Sequence, residues 1–113
     1  MRVRTHVNPF NVNHRFDKTL LSTCSSDQPL DIEIGFGRGV FLRYWAKENV
    51  LANVIGIEVR KQMVEILKSR TQDAIYSNLQ LFHGNGLYFL EDAVQDGSVD
   101  RLFIFHPDPW FKK

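Results

Sequence analysis

Apolar residues along this chain form short continuous runs that alternate with longer runs of helical period. The short runs, bounded by glycine, proline or polar residues, are LDIEI, NVIGIEV, NLQLFH and VDRLFIFH. Between them lie VFLRYWAKEN, RKQMVEILKSRTQDAI and LYFLEDAV, in which apolar residues recur three and four positions apart. The first pattern is typical of buried strands and the second of amphipathic helices. The order βαβαβαβ therefore predicts an α/β fold, a parallel sheet with helices on both faces.

The beginning of the chain lacks this periodicity. Asparagines, a proline and the run STCSSD give it the composition of turns and loops. We therefore predict an N-terminal arm over residues 1–29, with a short helix near Lys18–Leu21, and one domain over residues 30–113. Right-handed crossovers fix the winding of such a doubly wound sheet. Its expected strand order is 3-2-1-4.

Composition places the chain among ordinary globular proteins of one domain. Its 113 residues are 43% hydrophobic and 24% charged, and the formal net charge is +1. A charge so close to zero gives no argument for a nucleic-acid partner by itself. Basic residues nevertheless cluster towards both ends, at Arg2, Arg4, Arg15, Lys18, Lys112 and Lys113.

Cysteine and histidine usage argues against two kinds of site. The single cysteine, Cys24, excludes an intramolecular disulfide and a paired-thiol metal site, and the four histidines have no metal-ligand spacing. No metal is therefore predicted. The N-terminus has no apolar run typical of a signal peptide, and no stretch approaches the ~20 apolar residues of a membrane span. We expect a cytoplasmic protein with no membrane partner.

The sequence EIGFGRG joins the first strand to the first helix and predicts a ligand crevice there. The dinucleotide fingerprint is G-x-G-x-x-G, whereas here Gly39 comes one residue early. Glu33, just before the glycines, is unfavourable for a pyrophosphate and favourable for an ammonium group. S-adenosylmethionine carries an ammonium and a sulfonium and no phosphate. The loop therefore favours S-adenosylmethionine over NAD, with Glu33, Gly35 and Gly37 as cofactor-binding residues.

Two polar residues follow the next strands at the same predicted edge of the sheet. Glu58 ends the second strand, where a carboxylate can accept both ribose hydroxyls of a bound nucleoside. The alternative is an exposed acid at the start of the next helix. Asn85 follows the third strand within HGNG, where its amide could bond the adenine edge. The alternative for Asn85 is a turn stabilised by its own side chain.

The motifs EIGFG and PDPWFK, together with RVRTHVNPF near the start, resemble the tRNA (guanine-N7)-methyltransferase family. The resemblance covers residues 31–113 well. It implies a Rossmann-like class I methyltransferase fold, S-adenosylmethionine as methyl donor and tRNA as substrate. It also implies that Glu33, Glu58, Asn85 and Asp108 lie in the cofactor and reaction site and that Lys112 meets the tRNA. Many members have Asp in place of Asn85 and Phe in place of His106, so the role of His106 stays open.

The PDPW motif near the end of the chain suggests how such a reaction could be aligned. Pro107 and Pro109 restrict the backbone on both sides of Asp108 and so aim its carboxylate. Guanine N7 has a lone pair and no proton to lose, so the expected catalytic role of Asp108 is alignment. Trp110 offers a face on which a base can stack, and Lys112 can neutralise a phosphate. The structural alternatives are a rigid surface turn for Asp108 and a core aromatic for Trp110.

Several functions remain open at this point. One alternative is a methyltransferase with another substrate, and another is a NAD-binding oxidoreductase subunit or nucleotide-binding module. The resemblance also implies further strands beyond Lys113. We therefore expect the sheet to be truncated after the fourth strand and this chain to be an amino-terminal part that does not methylate tRNA alone. An apolar fourth strand at the edge of the sheet is then expected to promote self-association. A partner subunit or a homo-oligomer is equally compatible with the sequence.

Overall fold

The structure, a computed structural model, describes residues 11–105. The strands are β1 (Leu30–Ile34), β2 (Asn53–Glu58), β3 (Leu79–His83) and β4 (Arg101–Phe103). The helices are α1 (Val40–Glu48), α2 (Lys61–Arg70) and α3 (Gly86–Ala93), and a 3₁₀ turn over Ala74–Tyr76 precedes β3. The predicted order of elements is therefore confirmed.

The four strands form one parallel sheet in the order β3-β2-β1-β4. The pairing is in register between Leu30 and Asn53 at the start of β1, and between Glu58 and His83 at the ends of β2 and β3. This topology confirms the predicted doubly wound α/β sheet, and it is consistent with the first part of a Rossmann-like methyltransferase fold. The carboxyl ends of β1, β2 and β3 therefore lie side by side at one edge.

Each face of the sheet buries its own apolar cluster. On one face α1 and α2 pack against the strands, and the buried residues are Phe36, Leu42, Ala46, Ala52, Val54, Val64, Leu67 and Leu81. On the other face α3 covers Ile32, Ile34, Ile55 and Ile57 with Phe89 and Ala93. Phe16, Leu20, Leu21 and Cys24 also pack on this second cluster. Part of the predicted N-terminal arm is thus in contact with the domain.

Asp31 fixes the base of β1 to two neighbouring elements. Its side chain is buried, and its Oδ2 accepts hydrogen bonds from the Trp45 indole at 2.7 Å and from Arg101 Nη1 at 3.0 Å. The same guanidinium nitrogen lies 3.2 Å from Oδ1. Both carboxylate oxygens are therefore satisfied, as a buried charge requires. Asp31 ties α1 and β4 to the central strand.

Three elements differ from the prediction. The second helix ends at Arg70 and not near residue 75, because the Thr71 hydroxyl bonds the Leu67 carbonyl at 2.8 Å and the chain then turns. The segment around Lys18–Leu21 forms successive turns and no helix, with Leu20 N donating to Asp17 O at 3.1 Å. The fourth strand pairs over only three residues, Arg101–Phe103.

Candidate functional site

The glycine loop leaves β1 at the carboxyl edge of the sheet. Gly35 N donates to the Ile57 carbonyl at 2.7 Å, so the loop starts tied to β2. Gly35 and Gly37 have φ values of +75° and +58°, which are unfavourable for residues with a Cβ atom. The loop then enters α1 at Val40. The predicted strand–glycine–helix geometry is therefore present, and it exposes Gly35 beside the strand ends.

Glu33 is a buried carboxylate without a partner in the part of the chain that the structure describes. It is 5% exposed, and its Oε1 forms no hydrogen bond to any of residues 11–105. Burial, together with the smaller effect of the nearby negative charge of Glu58, raises the pKa of Glu33 to about 7. Leaving a buried acceptor unpaired is costly, typically ~1–3 kcal/mol. The side chain is therefore suited to a ligand that brings a donor, above all a cationic one.

Glu58 lies at the tip of β2 and is also buried, at 2% exposure. Oε1 accepts from Gly37 N at 3.0 Å and from Arg60 Nη2 at 3.2 Å. Oε2 accepts from Arg60 N at 2.9 Å and Arg60 Nε at 3.0 Å. A carboxylate has about four lone-pair positions, so these bonds fill them. A ribose diol can bind Glu58 only where it displaces some of the Arg60 bonds.

Arg60 was missed at the level of the sequence. Arg60 lies only two residues after Glu58 in the sequence. At a boundary between strand and helix, however, the sequence does not indicate where a side chain points. The structure shows a partly buried ion pair in which Arg60 Nε and Glu58 Oε2 are 3.0 Å apart. This pair compensates the charge of Glu58 in the absence of a ligand, whereas Glu33 has no equivalent.

Asn85 stands at the tip of β3, as predicted, and caps α3. Its Oδ1 accepts from Leu87 N at 2.8 Å and from Tyr88 N at 3.4 Å, and the residue is fully buried. This is an N-cap, which satisfies backbone donors at the start of the helix. The sequence had left a side-chain-stabilised turn open as an alternative. The predicted contact of the Asn85 amide with adenine stays a prediction.

A short segment near the N-terminus, His14–Phe16, lies across the loop between β3 and α3; we call it the strap. His14 Nε2 is 2.8 Å from the carbonyl oxygen of His83, and the Phe16 ring packs edge-on against Phe89 at 5.1 Å. A Cβ atom on Gly84 would collide with both Phe16 and His14. The strap therefore forms part of the wall next to the tip of β3.

Arg15 holds the strap on α3 by charge. Its Nε and Nη2 are each 2.8 Å from an oxygen of Asp92, and Nη2 is 2.8 Å from Glu91 Oε2. The guanidinium also lies 4.0 Å from the centre of the Tyr88 ring. Asp92 accepts Phe16 N at 3.0 Å as well. Hydrogen bonds from Arg15 and the Phe16 amide lower the pKa of Asp92 to about 2.

The remaining predicted site residues, Asp108, Trp110 and Lys112, lie outside the described residues, as does His106. The structure therefore brings together Glu33, Gly35, Gly37, Glu58 and Asn85. Within residues 11–105, no three histidine, cysteine or acidic side chains are arranged to hold a metal ion. None of the helices over the same residues has the length and apolar character to cross a membrane.

The chain is similar in sequence to known methyltransferases. A family model described as "Putative methyltransferase" matches residues 27–113. Curated tRNA (guanine-N(7)-)-methyltransferases of Shewanella baltica and Shewanella oneidensis are each 44% identical to the chain over 82 residues, and that of Shewanella frigidimarina is 42% identical. Each alignment covers 73% of this chain and 34% of the relative. The chain thus spans about a third of the length of the curated relatives it matches.

Proposed function

Because the chain belongs to this methyltransferase family, which implies a methyl donor, we propose that it carries the S-adenosylmethionine-binding part of an enzyme that methylates N7 of a guanine in tRNA. The observation that carries the proposal is the buried Glu33 carboxylate, whose Oε1 is unpaired within residues 11–105. It lies at the start of a glycine loop at the carboxyl edge of a parallel sheet. This arrangement favours a cationic nucleoside over a dinucleotide phosphate.

Each residue of the site has a specific part in this proposal. Glu33 accepts hydrogen bonds from the ammonium of the cofactor, directly or through water. Glu58 accepts the ribose hydroxyls after exchanging bonds now made by Arg60. Gly35 and Gly37 let the ligand approach the backbone closely. Asn85 holds the start of α3 beside the adenine and, in the proposal, offers its amide to the adenine edge.

For the residues outside the described part of the chain, the proposed roles are based on the sequence alone. Asp108, held between two prolines, positions the guanine so that the N7 lone pair points at the methyl carbon. Trp110 stacks on a base, and Lys112 neutralises a phosphate. When bound, S-adenosylmethionine supplies a methyl group from its sulfonium, and its sulfur leaves as a neutral thioether. No proton needs to be removed, so Asp108 is not required as a base.

Calorimetric titration of the chain with S-adenosylhomocysteine and with NADH tests the cofactor. We expect binding of the first and none of the second. Glu33→Gln should weaken binding of S-adenosylhomocysteine by at least tenfold, about 1.4 kcal/mol, because it removes the charge that meets the ammonium. Binding of NADH in preference would support the dinucleotide alternative and remove this proposal.

A chimera tests the reaction and its substrate. In the Shewanella baltica relative, the aligned segment of 82 residues is replaced with the corresponding segment of this chain. We expect methyl transfer to a tRNA transcript and none to a transcript containing 7-deazaguanine, which has a C–H group in place of N7. Equal transfer to both transcripts would show that N7 is not the acceptor. A chimera that binds S-adenosylhomocysteine and methylates no tRNA would favour another substrate.

A further inference from the structure

A concave surface on the outer side of α1 is not used by the proposed site. It encloses about 260 Å³ and is lined by Val40, Arg43, Tyr44, Lys47, Glu48 and Tyr76. We call it the α1 groove. Val40 is the first residue of α1 and follows the glycine loop directly. The groove therefore begins next to the candidate site and runs along the helix towards the 3₁₀ turn.

The α1 groove is lined by one arginine and one lysine. Arg43 Nε is buried, and it has no hydrogen-bond partner among residues 11–105. In this part of the chain neither Arg43 nor Lys47 is within 4.0 Å of an acid, although Glu48 lines the same groove. Arginine and lysine are donors only, so the groove fits a ligand that supplies acceptors and negative charge.

The aromatic side chains narrow the class of ligand. Tyr44 is 58% exposed, and Tyr76 lines the groove from the 3₁₀ turn. An exposed ring beside two cations is the combination that binds single-stranded nucleic acid, in which bases stack and phosphates pair. An acidic peptide would use the two cations and would leave the Tyr44 face without a matching group. The chemistry therefore favours RNA.

We propose that the α1 groove is a second RNA-binding surface, where Arg43 and Lys47 hold a phosphate and Tyr44 stacks on a neighbouring base. The proposal rests on the proposed function, since tRNA is the RNA that the site would bring there. The RNA nucleotides that flank the target guanine would leave the candidate site past Val40 and continue along α1. The groove would thus fix the direction of the RNA and not its sequence.

The test is tRNA binding by the 113-residue chain over a series of salt concentrations. Arg43→Ala with Lys47→Ala should weaken binding by about tenfold or more and lower the salt slope by about one to two units. The matched control is Lys61→Ala with Lys68→Ala, which removes the same charge from exposed positions on α2. We expect the control to change binding and slope much less. Binding of S-adenosylhomocysteine should stay unchanged in both variants.

The ring is tested separately from the charge. Tyr44→Ala should weaken tRNA binding by about 5- to 100-fold with the salt slope unchanged, and Tyr44→Phe should restore it, because stacking needs the ring alone. Polyglutamate is the competing probe. If polyglutamate displaces tRNA at equal charge and Tyr44→Ala changes neither affinity, the groove is an acidic-peptide or general anion site and the RNA proposal is wrong.

Failure of this inference and failure of the proposed function give different results. A chain that binds S-adenosylhomocysteine and tRNA, with equal losses in the groove and control variants, contradicts the groove alone. A chain that binds tRNA through the groove, but does not bind S-adenosylhomocysteine, contradicts the proposed cofactor and supports the groove. A wild-type chain without affinity for tRNA overturns the inference directly.

Discussion

Two acids on the same side of β1 have opposite surroundings. Asp31 and Glu33 alternate with buried isoleucines, so both point towards the face that carries α1. Asp31 has bonds from Trp45 and Arg101, whereas Glu33 Oε1 has none within the described range. The first acid holds the fold together. The second costs stability unless a ligand occupies the site, which is the trade expected of a binding residue.

The pKa of Glu33 gives a prediction about stability. The folded pKa of about 7 lies above the ordinary 4.5, so between these values the folded chain binds more protons than the unfolded one. Its contribution to stability is present below pH 4.5 and is lost as the pH rises through 7. Glu33→Gln should therefore raise the free energy of unfolding at pH 8 by roughly 1–3 kcal/mol and change it little at pH 4.

Urea unfolding of both proteins at the two pH values measures this. Asp31→Asn is the control, because loss of a carboxylate that is already paired should destabilise the chain at pH 8. Equal stability of wild type and Glu33→Gln at pH 8 would show that Glu33 is satisfied in solution. Glu33 would then give no reason to expect a cationic ligand.

Glu58 allows a second prediction at this scale. Glu58→Ala should raise the dissociation constant for S-adenosylhomocysteine at least tenfold, about 1.4 kcal/mol, through loss of the proposed ribose contact. Arg60→Ala separates this contact from the ion pair. Calorimetry with both variants measures the difference, and circular dichroism checks that each is folded. An unchanged constant in Glu58→Ala would remove the residue from the site.

At the scale of elements, the strap is held by charges that can be tested one at a time. Arg15 and the Phe16 amide lower the pKa of Asp92 to about 2, so its contribution is present above the ordinary 3.8 and is lost as the pH falls through 2. Asp92→Asn should mimic this loss at neutral pH and speed amide exchange at Phe16. Glu91→Gln is the milder control, since it removes one of the three bonds to Arg15. Equal amide exchange at Phe16 in the wild type and in both variants would show that these acids do not hold the strap.

The fourth strand gives the other prediction about an element. It pairs with β1, and within residues 11–105 no strand pairs with its other side. Leu102 in this strand is 46% exposed, and Ile104 and Phe105 just after it are 41% and 51% exposed. An exposed apolar strand edge can pair with a second chain. Leu102→Lys should lower self-association in sedimentation experiments. Val50→Lys, at an exposed apolar position between α1 and β2, should not, and equal effects would show that the edge is not the contact.

The sequence predicts those features of the structure that repeat regularly along the chain. Buried strands and amphipathic helices were readable, because burial repeats along the chain, and the glycines and strand tips then placed Glu33, Glu58 and Asn85 at one edge. The direction of a side chain is not periodic. The sequence therefore left two roles open for Asn85, and it gave no sign of the Arg60 ion pair or of the position of the strap.

At the scale of the whole molecule, the two faces of the sheet are covered by different parts of the sequence. All buried residues of the cluster under α1 and α2 lie between Phe36 and Leu81 in the sequence. The cluster under α3 is packed by residues that are far apart in the sequence, from Phe16 near the N-terminus to Val99 just before β4. One face is thus built from near neighbours in sequence and the other joins distant segments.

This difference has a consequence for how the protein folds as it is made. Contacts between near neighbours form at a lower entropy cost than contacts that close long loops. We expect the α1 and α2 face to assemble first, and Phe16, although synthesised early, to wait until α3 has left the ribosome. Pulsed hydrogen exchange during refolding should show protection at Val54 and Leu67 before protection at Phe89. The strap would then be the last piece to close, after the glycine loop has already formed.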